Sequence, residues 1–144
     1  MPVAHRSLRV TPPDLARVEA LRDRCGPRTS ASEAVRAALA WFTARAPHIE
    51  DVTPAADQLV VEAAEPGGKV WGISLTDTEA AALDDLVAKP PSGVRRKFSR
   101  NEAVRLAVLL CSQASDDEVR AADAATARLA RGRAKSPPVL PKQG

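Results

Sequence analysis

The chain has 144 residues, 44% of them hydrophobic, with 21 lysines and arginines against 18 aspartates and glutamates for a net charge of +3. That balance is typical of a globular protein in water. With no apolar run near the roughly 18 residues of a membrane span and no apolar leader, a cytoplasmic protein without a membrane partner is expected. Two tryptophans, two phenylalanines and no tyrosine leave a small core to be made by close helix contact.

The charge is unevenly spread. Residues 1–45 carry 8 basic and 4 acidic groups, 69–114 carry 7 and 5, and 115–144 carry 6 and 4, whereas 46–68 carry five acids and no base. Two basic regions flanking an acidic connector favour a polyanionic partner.

Residues 5–11 alternate polar and apolar, the period of a strand with one buried face, so Leu8 and Val10 are expected inward and His5, Ser7 and Arg9 outward. Thr11-Pro12-Pro13-Asp14 reads as a capping box, with proline tolerated in the first helical turn. The helix it opens places Leu15, Val18 and Leu21 on one face and stops at Gly26-Pro27. Ser30, with Glu33 three residues on, opens a second helix whose Val35, Ala38, Leu39 and Phe42 recur at helical spacing until Pro47. Residues 46–68 then read as an acidic linker, with a short helix after Thr53-Pro54.

The order repeats from residue 69 to 114. Val70 to Leu75 alternates with Trp71, Ile73 and Leu75 inward, leaving Val70, Gly72 and Ser74 outward. Thr76-Asp77-Thr78-Glu79 is the matching capping box, and Ala80, Leu83 and Leu86 follow at the spacing of the first helix. Ser99 to Arg105 echoes Ser30 to Arg36 with five of seven residues identical, and Val104, Ala107, Val108 and Cys111 continue the stripe. The offset is 65 residues for strand and first helix and 69 for the second helix. The difference is an insertion between Lys89 and Phe98 that carries Arg95-Arg96-Lys97, and loops absorb such insertions readily. Within residues 115–131, Asp116 to Arg131 is a candidate helix with acids first and arginines last, and 132–144 has the composition of a disordered basic tail.

A strand, a capped helix and a second helix opening with Ser-x-Ser/Asn-Glu-Ala-Val-Arg resembles the ribbon-helix-helix family of DNA-binding proteins, over about two thirds of the chain. The resemblance implies an α+β fold, mainly α with short β: a tandem pseudo-dimer with a two-stranded antiparallel ribbon and four core helices, arranged as in plasmid-transfer proteins of the TraY type. In that family the ribbon enters the major groove of double-stranded DNA, and the start of the second helix holds a phosphate. The expected activity is sequence-specific binding, as a transcriptional repressor or as an accessory factor in plasmid transfer or maintenance.

The outward residues suit that task. Arg9 offers a guanidinium fork to guanine, with Ser7 and His5 adding weaker contacts; on the second strand Ser74 hydrogen-bonds, Val70 meets a thymine methyl and Gly72 presents only backbone. Phosphate anchors are expected at Arg28, Ser30 and Ala31 in the first half and at Arg95, Arg96, Lys97, Ser99 and Arg100 in the second. Arg36 and Arg105, one turn deeper, serve either DNA or inter-helix pairing. Other arrangements are a homodimer with two ribbons, cooperative assembly on DNA, and an antitoxin or adaptor whose C-terminal region binds a partner protein. Cys25 and Cys111 lack metal or disulfide spacing and are expected as thiols. No metal, cofactor or catalytic constellation is expected: the two histidines fall in a terminus and the linker, and there is no glycine-rich phosphate loop.

Overall fold

The computed structural model describes residues 3–26, 29–46, 51–91 and 98–126. Among them the chain runs β1 (Val3–Val10), α1 (Pro12–Cys25), α2 (Ala31–Arg45), α3 (Thr53–Ala63), β2 (Lys69–Thr76), α4 (Asp77–Ala88), α5 (Arg100–Ser112) and α6 (Asp116–Ala125), a mainly helical α+β fold with one two-stranded antiparallel sheet.

The helix starts follow from local chemistry. Thr11, Ser30, Thr76 and Ser99 each accept the backbone N–H three residues on, while the acid at that position accepts the cap's own N–H. Each box satisfies two of the four N–H groups that a helix leaves open at its start. Both strands run straight into such a box: Thr11 follows the last residue of β1, and Thr76 both ends β2 and launches α4.

The strand register sets the repeated strand positions symmetrically against each other. Ser7 lies opposite Gly72, its own counterpart 65 residues later, and the pairs on either side, His5 with Ser74 and Arg9 with Val70, interchange counterparts. The two strands are therefore related by a pseudo-twofold axis through the Ser7–Gly72 pair, and one chain supplies both of them. Leu8, Val10, Ile73 and Leu75 bury on the inner face as expected, whereas Trp71 is half-buried against the core edge.

Beneath the ribbon α2 and α5 pack against each other and are buried nearly all round. Their alanines, Ala34, Ala37, Ala38, Ala103 and Ala107, let the backbones approach, which is how a chain with so few aromatics closes a core. Phe42 and its counterpart Cys111 are both fully enclosed, and burial pushes the Cys111 thiol up to about 12. Neither Cys25 nor Cys111 is in a disulfide.

The halves are also joined by charge. Arg36 of α2 donates from Nε and Nη2 to the Glu79 carboxylate at 2.8 and 2.9 Å, and its counterpart Arg105 donates from Nε to Asp14 at 2.6 Å. Each acid is the box member of the other half's first helix, so the repeated arginines tie the core helices across the pseudo-axis. Both guanidiniums are engaged by the fold.

The acidic stretch expected as a linker contributes to the core. In α3, Leu59 and Glu62 are buried against α5 and α1; the Leu59 carbonyl accepts from Arg105 at 3.2 Å and Glu62 forms a two-pronged bond with Arg17. The short helix expected after Thr53-Pro54 forms, but two features conceal its packing role in the sequence. Val52 provides no side-chain cap, and the buried stripe contains a glutamate while Val60 and Val61 face solvent. The other added helix, α6, is capped by Ser115 and packs on α2, with Arg24 of α1 donating to Asp116 at 2.7 Å and to the Ser112 carbonyl at 3.0 Å. The expected continuation of α6 to 131 and the tail lie outside the described residues.

The Arg17 bond holds the Glu62 carboxyl below its ordinary value, against an opposing effect of burial. A carboxyl whose pKa is lower folded than unfolded adds stability above the unfolded value and loses it as pH falls through the folded one. Stability is therefore expected to drop as pH falls below the ordinary glutamate value of 4.5. The Glu62→Gln variant should show a shallower drop in urea midpoint over the same acid range; an identical pH profile would deny the pair this role.

Candidate nucleic-acid interface

A two-stranded ribbon has two faces, and the apolar alternation has used one of them for the core. The register gathers all six outward positions on the other as three cross-strand pairs: His5 with Ser74, Ser7 with Gly72, Arg9 with Val70. Five of these residues are exposed and Ser74 is half-buried. Val70, at 69% exposure, is a large apolar side chain left in solvent on this face.

The three pairs differ chemically. At one end Ser74 Oγ and His5 Nδ1 lie 2.8 Å apart, leaving the imidazole Nε2 as the outward polar atom. At the centre a Cβ built on Gly72 would meet nothing within 4 Å, so the fold does not require glycine there. A glycine inside a strand weakens it and commonly marks a place where another molecule comes close. At the far end Arg9 extends from the face with no side-chain ion pair among the described residues. Arg6, on the inner phase, reaches round to donate to the His5 carbonyl at 3.1 Å.

The starts of α2 and α5 supply the second component. Their caps, Ser30 and Ser99, have their hydroxyls engaged with the Glu33 and Glu102 amides at 3.1 Å each. The next two amides, of Ala31 and Ser32 and of Arg100 and Asn101, have no intrahelical acceptor and carry the positive end of the helix dipole. Arg100 donates through Nε to Asp84 at 2.6 Å, and the same bond holds the Asp84 carboxyl below its ordinary value. This pair is half-exposed. Arg28, Arg95, Arg96 and Lys97, the remaining expected anchors, lie outside the described residues.

The sequence reading missed Asn101. Its side chain holds the backbone of Arg9: Oδ1 accepts from the Arg9 N–H at 2.6 Å and Nδ2 donates to the Arg9 carbonyl at 3.0 Å. The only signal was that Asn101 departs from Ser32 within an otherwise repeated stretch. A cleft of about 270 Å³ opens beside this contact, lined by Arg9, Asn101, Arg105 and the Pro66-Gly67-Gly68 turn.

Among the described residues no helix is long and apolar enough to cross a membrane, and no group of three or more histidine, cysteine or acidic side chains converges on a metal position. Comparison with known proteins finds no matching family model, no similar curated protein and no similar solved structure.

Proposed function

We propose that the chain is a tandem ribbon-helix-helix protein that binds double-stranded DNA sequence-specifically, laying the outer face of the β1–β2 ribbon in the major groove. The observation that carries this reading is the register, which collects His5, Ser7, Arg9, Val70, Gly72 and Ser74 on a single exposed face. A two-stranded ribbon fits the major groove, where each base pair presents a distinct set of donors and acceptors. Arg9 reads guanine with two N–H groups, the His5–Ser74 pair offers hydrogen bonds, Val70 meets a thymine methyl and Gly72 lets the ribbon seat closely. The open amides at the starts of α2 and α5, with Arg100 and the sequence-adjacent Arg28, Arg95, Arg96 and Lys97, grip the phosphates on either side. A protein of this kind acts as a repressor or as an accessory factor at a plasmid transfer or maintenance site.

Selection of genomic fragments by the purified full-length chain, followed by footprinting, tests the proposal. Discrete sites are expected, with log affinity falling linearly in log salt by a slope of about −0.9 for each phosphate neutralised. Recovery of bulk genomic DNA without preference, or no retention at all, would refute it.

A further inference from the structure

Asn101 is the second residue of α5, an exposed-edge position where an asparagine side chain ordinarily faces water. Here both its polar atoms are spent on one residue of the ribbon, 92 positions away, at 2.6 and 3.0 Å. The amide orientation is dictated by the partners, because turning it over would set oxygen against the Arg9 carbonyl and nitrogen against its N–H. In an antiparallel ladder, residues alternate between exchanging two backbone bonds with the residue opposite and pointing both groups outward. Arg9 points outward, and Asn101 occupies the edge as a third strand would.

The clasp is on one side only. In the repeat Ser32 takes the place of Asn101 and Ser74 that of Arg9, and among the described residues no such contact joins them; Ser74 instead faces His5. A serine has a single polar atom on a shorter stem and does not span both backbone groups. One end of the ribbon is thus fixed to a helix start and the other is not.

We infer that Asn101 is a positioning residue for DNA reading: it ties the backbone from which Arg9 projects to the first turn of α5, so that the phosphate grip and the base contact share one rigid frame. This rests on the DNA-binding reading above. A phosphate held at the amides of Arg100 and Asn101 then sets where the Arg9 guanidinium lies along the groove. The half-site under Arg9 is read more strictly than the half-site under Ser74.

The test compares the full-length chain with its Asn101→Ala and Asn101→Ser variants, on a fragment taken from the genomic selection and on an unrelated duplex of equal length. Both variants are expected to lower the ratio of specific to unrelated affinity about tenfold, within the range of one base contact. Affinity for the unrelated duplex and its salt slope stay unchanged, since no charge is removed. Without DNA, the Arg9 amide, otherwise open to water, exchanges its hydrogen faster in both variants while the core amides do not. An unchanged ratio alongside faster Arg9 exchange would overturn the positioning role and leave the clasp as a structural contact; unchanged exchange would overturn the clasp itself. If the unmodified chain prefers no fragment, the DNA-binding reading fails and the positioning role falls with it, an outcome the wild-type control separates from the other two.

Discussion

Arg36→Ala is expected to lower the free energy of unfolding by about 3 kcal/mol, the low end of the range for breaking a buried ion pair by removing one partner. Arg36 is 1% exposed and is among the largest fully buried side chains in the molecule. Its two bonds to Glu79 close a gap between α2 of one half and the start of α4 in the other. Truncation leaves a cavity lined by core atoms and a carboxylate without its counter-ion. The loss stays near the low end because the Glu79 side chain keeps 18% exposure and its bond from the Thr76 N–H. The double variant Arg36→Met with Glu79→Gln removes both charges at similar volume and is expected to recover most of the loss, since well-packed neutral side chains often replace buried pairs without penalty. Urea denaturation of the three chains checks both statements. A single-variant loss below about 1 kcal/mol, the scale of an exposed pair, would mean that the pair does not join the halves as described.

Arg9→Ala is expected to reduce discrimination between a selected site and unrelated DNA by about 1–3 kcal/mol, roughly 5- to 150-fold. The fold should be untouched, because Arg9 is exposed and Asn101 grips its backbone, which alanine retains. Arg9→Lys separates charge from geometry: it restores the salt dependence but not the discrimination, since an ammonium lacks the planar fork. Affinity for unrelated DNA should fall only by the share of one phosphate-range charge. Unchanged specific affinity in a folded Arg9→Ala chain would show that the ribbon face is not the reading surface. The two substitutions thus probe different parts of the fold, Arg36 where α2 is joined to α4 and Arg9 on the exposed face of the ribbon.

Features set within a few residues were legible in the sequence. The four capping boxes need only a hydroxyl and an acid three positions apart, and all four form at the expected threonines and serines. Period-two alternation assigned the faces of both strands, because a pleated strand with one buried side leaves no other arrangement. The candidate anchors were less legible. Arg100 was expected to face a phosphate and is engaged by Asp84, sixteen residues earlier on α4. The short helix of the acidic stretch was expected, but not its burial as α3, because a buried glutamate is uninformative until its partner Arg17, forty-five residues away, is brought beside it.

By itself, then, the sequence determined that there are two strand-helix-helix units, which face of each strand is buried and where each paired helix begins, since capping and alternation act through neighbouring residues. Only the tertiary structure decided that β1 pairs with β2 of the same chain, that Ser7 meets Gly72 at the centre, that Arg36 and Arg105 cross between the halves, and that Asn101 clasps Arg9. Each of these joins residues between 43 and 92 positions apart or sets one whole strand against another. Such contacts form only when the close packing of α2 on α5 brings the halves together, and no short-range pattern encodes that distance.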